Sequence, residues 1–306
     1  MPKAYVFTAN GGPEVESFAD LPRPVPGPGQ LLVAVRAAGV NPADWKRRNG
    51  MGAPGAAPEE FPVVFGREAA GVVEAAGPGT EGFAAGDAVF GNPDTGSFAQ
   101  YTLLPVAIAA HKPAALSFTD AATLPVAAAT AYDGLRQLAL PPGATLLITG
   151  VGGGVGVAAA QIARHEGLTV IGTASAAKKA FAESLGVTHV ESGPGEADRI
   201  RAAAPGGIDG IFDLVGGSAL ADVAVLLDDR SRLITAADRG TVARLGGSPV
   251  ARARNQAVLD AVAQLVTGGV LNPFVTATFP LNRAPEALRL VEAGHARGKV
   301  VVEVAG

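Results

Sequence analysis

Cysteine is absent from this chain of 306 residues, which excludes disulfide bonds and thiolate metal sites. Charge is also sparse: charged residues make up 17% of the chain, and the formal net charge of -4 gives no general attraction to nucleic acid or to an anionic membrane. The first residues lack the long apolar segment and cleavage site of a signal peptide. We therefore expect a cytoplasmic protein that binds neither nucleic acid nor a membrane.

A long apolar segment that could cross a membrane is also missing. Residues 137–163 carry no charge, but Pro141, Pro142 and a cluster of glycines argue against a continuous lipid-facing helix. Glycine (41 residues) and proline (23 residues) are too frequent for a helical bundle and are typical of turns between short strands. The length of the chain favours two domains.

The central feature of what is present is a glycine-rich segment at residues 145–167. Leu146, Leu147 and Ile148 form a short apolar run that predicts a buried parallel strand, and glycines follow it directly. From Val155 onward, apolar residues recur at helical spacing, and Gly167 is placed to end that helix. The pattern predicts a strand, a glycine loop and a helix.

Such a unit can bind a pyrophosphate, because backbone N–H groups at a helix N-terminus carry partial positive charge and glycine leaves them accessible. Gly150, Gly153 and Gly156 depart from the strict G-x-G-x-x-G spacing, so a glycine-rich turn without a ligand is the alternative on this motif alone. We predict that the cofactor contacts Gly150, Gly153, Gly154, Val155 and Gly156.

Two regions of different character surround this unit. Residues 1–115 read as short strands between turns, which predicts a β-rich, partly barrel-like domain. Residues 116–262 alternate between helix and strand, as in a doubly wound parallel sheet that binds a dinucleotide. Residues 263–306 end in a strand from Lys299, which we expect to return to the first domain and make it discontinuous.

The second strand of the predicted parallel sheet bears on cofactor choice. No acid follows it to repel a 2′-phosphate, whereas Ser175 is a candidate helix N-cap with Lys178 and Lys179 in the first turn. Cations are disfavoured at that end of a helix, so two lysines there suggest an anionic ligand. The alternative is a solvated basic helix start. We favour NADPH as the cofactor.

Several segments occur together in an order that resembles a known family. These are residues 38–44, 65–73, 86–90, 96–101, 121–132, the glycine loop and 295–302. Over nearly the whole chain they resemble the medium-chain dehydrogenase/reductase superfamily, in its zinc-independent quinone oxidoreductase or zeta-crystallin-like branch. The resemblance implies an α/β fold: a Rossmann doubly wound parallel sheet plus a discontinuous GroES-like β-barrel domain. It also implies a homodimer.

The resemblance implies roles for individual residues. Zinc-using relatives have a Cys at the position of Asn41 and a His at the position of Arg67, so Lewis-acid alcohol oxidation is unsupported and no metal is expected. Asn41 is expected beside the nicotinamide or its ribose, with Asp44 and Thr130 helping to position that end. Lys299 is expected to reach the phosphates.

The remaining implied residues lie at the 2′-phosphate and near the substrate. Ser175 and Lys179 are expected at the 2′-phosphate, and Val215 is predicted to contact the cofactor. Trp45 and Lys46 stand where related quinone reductases often carry a Tyr near the substrate. Arg47 and Arg48, which follow directly, are interpreted as part of a solvated loop.

The predicted reaction is hydride transfer from NADPH to a quinone or to the β-carbon of an enone, with Asn41, Asp44 and Lys46 as candidate catalytic residues. A histidine in a recognisable catalytic pairing is not evident, and all four are interpreted as surface or helix residues: His111, His165, His189 and His295. The alternative is a regulatory or structural protein that binds NADPH with little turnover.

Overall fold

The computed structural model of the chain describes residues 1–51, 59–294 and 296–304. The chain folds into two compact units. Unit 1 comprises Met1–Val126, Arg254–Thr267 and Val275–Gly306, and unit 2 comprises Ala127–Ala253 and Gly268–Phe274. The functional domain limits expected from sequence, after residues 115 and 262, stay a prediction, because compact units are not by themselves functional domains.

The described residues form strands and helices throughout both units. The strands are β1 (Lys3–Phe7), β2 (Glu16–Asp20), β3 (Gln30–Val40), β4 (Val63–Val64), β5 (Ala69–Ala76), β6 (Ala88–Gly91), β7 (Tyr101–Pro105), β8 (Ala109–His111), β9 (Thr145–Thr149), β10 (Thr169–Ala174), β11 (Thr188–Glu191), β12 (Gly210–Asp213), β13 (Leu233–Thr235), β14 (Ser248–Pro249), β15 (Val275–Pro280) and β16 (Lys299–Glu303). The α-helices are α1 (Pro42–Arg48), α2 (Phe118–Ala121), α3 (Ala129–Leu138), α4 (Gly154–His165), α5 (Lys179–Ser184), α6 (Glu196–Ala203), α7 (Gly217–Ala224), α8 (Arg239–Arg244), α9 (Gln256–Thr267) and α10 (Ala284–Glu292).

Two β-sheets form the framework of unit 1, together with four of the α-helices. Its larger sheet has the strand order β15-β16-β3-β5-β6-β8, with β7 also paired to β3, and a smaller sheet has the order β2-β1-β4. The last strand, β16, pairs antiparallel with β3, and Val300 lies opposite Val40. This pairing confirms that the final strand returns to the first β-rich region, and its register brings Lys299 beside Asn41.

Aromatic residues fill part of the core of unit 1. Phe7, Phe65 and Phe98 are each at most 2% exposed, and the ring centroids of Phe7 and Phe65 lie 4.9 Å apart. Leu288 of α10 belongs to the same buried cluster. Burying each such side chain contributes about 1.5 to 3 kcal/mol, so the helix near the end of the chain helps to hold strands from its beginning.

Unit 2 contains a six-stranded parallel sheet with the order β11-β10-β9-β12-β13-β14. This is the order of a doubly wound dinucleotide-binding sheet. The chain adds β10 and β11 on one side of its first strand, β9, and then adds β12, β13 and β14 on the other side. Leu146, Leu147 and Ile148 in β9 are all 0% exposed, as expected for a central strand covered on both faces. The predicted Rossmann fold is therefore confirmed.

Some elements differ from the sequence-based expectation. Residues 42–48 form α1, because Pro42 suits the first helical turn and the basic residues at its end complement the helix dipole. Arg48 is only 1% exposed and pairs with Glu16 and Glu292, so its interpretation as part of a solvated loop was wrong. The short elements α8 and β14 were not predicted. Every helix in the described ranges falls short of the length and apolar character needed to cross a bilayer.

Candidate functional site

The glycine loop forms a tight turn between β9 and α4. Gly150 has φ 67°, a left-handed conformation that glycine adopts without strain, and its carbonyl accepts a hydrogen bond from the N–H of Gly153 at 3.1 Å. The N–H of Val151 donates to the carbonyl of Thr173 in β10 at 3.0 Å. The turn is therefore fixed to two neighbouring strands of the parallel sheet.

Gly156 permits the close approach of α4 to this turn. A Cβ atom at Gly156 would lie 2.6 Å from the Cα of Val151 and 2.7 Å from the carbonyl oxygen of Gly150, which are both backbone atoms. The first N–H groups of α4, at Gly154, Val155 and Gly156, have no acceptor within their own helix. This arrangement of amides at a helix N-terminus fits the pyrophosphate of a dinucleotide.

The loop after β12 lies beside the glycine loop. A Cβ atom at Gly150 would lie 3.1 Å from a Cγ atom of Val215, which is 53% exposed. Since β9 and β12 are the strands at which the strand order reverses, both loops lie at the topological switch point where such sheets bind ligands. The structure therefore brings Val215 together with the predicted pyrophosphate loop.

Asp213, which sequence reasoning missed, holds this edge of the sheet together. Its carboxylate is 0% exposed and accepts hydrogen bonds from Thr149 Oγ1 at 2.7 Å and from Thr235 Oγ1 at 2.5 Å. It also accepts from the N–H groups of Val215 and Gly216, each at 3.1 Å. A lone acid at the end of an apolar strand was the available signal, because a buried carboxylate requires donors.

The predicted 2′-phosphate residues follow β10. Ser175 is exposed and occupies the N-cap position of a short 3₁₀ helix, as predicted, but its side chain makes no capping hydrogen bond. Lys179 is also exposed, with its side chain at 63%, and lies 3.9 Å from Glu183. The side chain of Lys178 instead runs over the glycine loop, since a Cβ atom at Gly152 would lie 2.8 Å from Lys178 Cδ. Lys178 is therefore the lysine that is closer to the predicted pyrophosphate loop.

A second cluster, in unit 1, contains Asn41, Glu68 and Lys299. Asn41 Nδ2 donates to Glu68 Oε1 at 2.8 Å, and Lys299 Nζ donates to Asn41 Oδ1 and Glu68 Oε1, each at 2.7 Å. The other oxygen of Glu68 accepts from the N–H of Val126 at 2.8 Å. Because an ammonium can only donate and a carboxylate can only accept, this network fixes the orientation of the Asn41 amide.

Glu68 was not singled out from the sequence, although it is 0% exposed. Its signal was a single acid inside the apolar segment at residues 65–73. Lys299, 4% exposed, was predicted to reach phosphates, and that role stays a prediction. In the structure its ammonium contacts Asn41, Glu68 and the carbonyl of Val40, the last at 3.2 Å.

Asp44 lies next to this cluster and is 2% exposed. Its Oδ2 accepts from the N–H of Asn41 at 2.8 Å, whereas its Oδ1 has no hydrogen-bond partner among the residues that the structure describes. Burial raises the pKa of Asp44 to about 7, despite the opposing effects of the Asn41 N–H and the positive charges of Arg67 and Lys299. Asp44 therefore holds a proton on a substantial fraction of molecules near neutral pH.

The other predicted residues of the site are less directly connected to these clusters. Lys46 Nζ lies 5.7 Å from the centroid of the Trp45 ring, and Trp45 Nε1 is buried without a partner in the described ranges. Thr130 is 2% exposed, and its hydroxyl accepts from Arg252 Nε at 2.9 Å within unit 2. Thr130 is thus oriented by an arginine that the sequence analysis did not identify.

Metal-ligating residues do not cluster in the part of the chain that is described: no group of three or more His, Asp or Glu side chains is arranged to hold a metal ion. His111 Nε2 contacts the carbonyl of Gly82 at 3.0 Å, and His189 Nε2 contacts that of Ala174 at 3.1 Å. His295 lies outside the described residues.

Comparisons with known proteins match both parts of the chain. Residues 27–114 match the family model of the alcohol dehydrogenase GroES-like domain, and residues 185–302 match that of a zinc-binding dehydrogenase. The solved structure of a quinone oxidoreductase from Coxiella burnetii superposes with a TM-score of 0.89 at 30% identity, over 99% of each chain.

Curated relatives include proteins of very different length. The chain is 36% identical over 297 residues to the spectinabilin polyketide synthase system protein NorB of Streptomyces orinoci, covering 90% of this chain. It is 31% identical over 286 residues to the 2-methylene-furan-3-one reductase of Solanum lycopersicum, covering 89% of this chain and 71% of the relative. The chain spans 13% of NorB and 58% of the mouse and rat synaptic vesicle membrane protein VAT-1 homologs.

Proposed function

The chain belongs to the medium-chain dehydrogenase/reductase superfamily, in its quinone oxidoreductase branch, and from this premise we propose that it reduces quinones or α,β-unsaturated carbonyl compounds with NADPH and without a metal. The observation that carries the proposal is the glycine loop at the switch point of the parallel sheet. There the lack of a side chain at Gly156 allows α4 to approach the turn closely, and we assign the pyrophosphate to the first amides of α4.

The preference for NADPH is supported by the residues after β10. No carboxylate occurs between Ala174 and Lys179, where an acid would bind a free ribose 2′-hydroxyl and repel a 2′-phosphate. Lys178, whose side chain crosses the glycine loop, supplies a cation at this end of the sheet. We therefore assign 2′-phosphate recognition to Lys178 first and to Lys179 and Ser175 second.

NADPH, when bound, supplies the hydride that reduces the substrate. Asn41 then presents an amide of fixed orientation, since Lys299 and Glu68 hold its two ends. Asp44 holds a proton beside Asn41, on a carboxyl whose Oδ1 is not occupied by another described residue. Such a carboxyl is suited to supply the proton that the developing enolate or phenolate oxygen requires.

The chemistry of the donor set supports a reaction without a metal. Asn41 and Arg67 occupy the positions at which zinc-using relatives have Cys and His. A neutral amide and a permanently charged guanidinium are poor ligands for zinc, which favours thiolate and imidazole. Relatives named for quinone and furanone reduction agree with this class of substrate.

The test measures the loss of NADPH absorbance with a panel of ortho- and para-quinones and enones, with and without a chelator. We expect turnover that the chelator does not change and that is absent from the Gly156→Val variant, because a side chain there displaces the amides of the loop. Chelator-sensitive turnover of simple alcohols would contradict the proposal. Tight NADPH binding without turnover of any compound would support a regulatory or structural role instead.

A further inference from the structure

The guanidinium of Arg67 is a cation with unused hydrogen-bonding capacity. Arg67 lies between β4 and β5 and is partly buried, but its side chain donates no hydrogen bond and forms no ion pair within the described ranges. In the described chain, two side-chain atoms are fully buried and lack a hydrogen-bond partner: Asp44 Oδ1 and Trp45 Nε1. The Arg67 nitrogens lack a partner there but are not fully buried. The guanidinium therefore remains accessible from outside with five N–H donors available.

Two of the carboxylates near Arg67, those of Glu59 and Glu68, are already engaged with other groups. Glu59 forms a bidentate pair with Arg47, with distances of 2.6 and 2.7 Å. Glu68 binds Lys299 and Asn41 through the network described above. Asp44 is within electrostatic range but forms no ion pair with Arg67, and burial keeps it partly protonated near neutral pH.

A second cation adds to this imbalance. Arg254, which is exposed, adopts φ 44°, a left-handed backbone conformation that is uncommon outside glycine. Burial lowers the pKa of Arg67, and repulsion from Arg47 and Arg254 lowers it further, against the attraction of Asp44 and Glu59. The surroundings of Arg67 thus carry an excess of positive charge that an anion would neutralise.

Arg67 is also close to the residues assigned to the reaction. Its neighbour in sequence, Glu68, holds the Asn41 amide, and its electrostatic partner Asp44 binds the N–H of Asn41. An anionic group bound to Arg67 would therefore lie within electrostatic range of Asp44, which holds the N–H of Asn41. The planar fork of a guanidinium matches the two oxygens of a carboxylate.

We propose that Arg67 binds a carboxylate on the substrate, so that the preferred substrates are electron-poor carbonyl compounds that carry this group. The inference rests on the proposed function, of which it specifies the substrate class. It differs from a purely structural role for Arg67, in which the arginine would only offset the charge of Asp44 and would affect charged and neutral substrates equally.

The experiment compares acetylacrylate with its neutral methyl ester as substrates of the wild-type chain and of Arg67→Gln. Dividing the wild-type kcat/KM by that of the variant, for each substrate, removes their difference in intrinsic reactivity. We expect the carboxylate to lose about tenfold or more and the ester to change less than about threefold, since a charge-assisted pair is lost only for the anion. Arg283→Gln removes an exposed arginine that pairs with Glu286, and should alter neither value.

Equal losses for both substrates in Arg67→Gln would overturn the inference. If Arg67→Gln does not fold, Arg67→Lys provides the same comparison, because it keeps the charge but loses the fork; it must weaken the carboxylate more than the ester. Calorimetric binding of levulinate, the saturated analogue, does not depend on turnover. Suppose that the wild-type chain turns over neither substrate but binds levulinate tenfold more tightly than the Arg67→Gln variant does. The proposed reaction then fails, while carboxylate recognition stands. If levulinate binds both equally, the inference fails.

Discussion

Asp44 shows how one buried residue can make stability depend on pH. Burial raises its pKa from 3.8 to about 7, so the folded chain binds this proton more tightly than the unfolded chain does. The resulting stabilisation is fully present below pH 3.8, the ordinary pKa, and is lost as the pH rises through about 7. Ionised Asp44 therefore has a destabilising effect at neutral and higher pH.

We predict that Asp44→Asn gains stability relative to the wild type as the pH rises from about 4 to about 7, by at most about 1.4 kcal/mol per pH unit. The asparagine keeps an acceptor for the Asn41 N–H but cannot ionise. Urea denaturation of both proteins across this range measures the difference in the free energy of unfolding. A difference that does not vary with pH would show that Asp44 titrates normally.

Lys299 provides a second prediction for a single residue. Its ammonium neutralises Glu68, which is 0% exposed, so Lys299→Met leaves a buried carboxylate without its cation. We expect a loss of about 3 to 5 kcal/mol in the free energy of unfolding, and partial recovery in the double variant with Glu68→Gln. Denaturation of the single and double variants tests this. Unchanged stability with weaker NADPH binding would instead support the phosphate role expected from sequence.

At the scale of elements, the glycine loop and the segment after β10 determine the expected cofactor specificity. We predict that Lys178→Ala weakens NADPH binding about tenfold or more and NADH binding by less, because only NADPH loses a charge-assisted contact to the 2′-phosphate. Lys179→Ala is the matched control and should have the smaller effect, since Lys179 is exposed beside Glu183. Fluorescence titration of the wild type and both variants with both cofactors measures the six affinities. A larger effect at Lys179 would restore the assignment made from sequence.

Local patterns were sufficient to predict many elements. The strand, loop and helix at residues 145–167 were confirmed because apolar periodicity and glycine punctuation are local signals. The short helix α1 was missed, because the run of basic residues at its end, residues 46–48, is also typical of a solvated loop. The pairing of Glu68 with Lys299 could not be predicted, because it depends on strands that are far apart in sequence meeting in one sheet.

At the scale of the whole molecule, unit 1 depends on the two ends of the chain meeting. β16 lies between β15 and β3, so it completes a sheet that begins with residues 30–40. Arg48 of α1 likewise pairs with Glu292 of α10 at 2.6 Å. Contacts between residues so far apart in sequence slow folding, because a long loop must close before they can form. The network around Asn41 therefore depends on the pairing of β16 with β3, since Lys299 is the first residue of β16.

This dependence leads to a prediction for the centre of β16. Val301 is 0% exposed and lies opposite Gly39 in β3, so Val301→Asp places an unpaired carboxylate in the core. Because burying such a charge costs several kcal/mol, we expect faster amide hydrogen exchange throughout β3 and β5, and loss of the Asn41 network with it. The same substitution at Val225, which is 59% exposed, is the control and should leave exchange unchanged. If β3 keeps its protection in Val301→Asp, then the sheet of unit 1 is stable without its final strand, and the dependence of the Asn41 network on β16 is wrong.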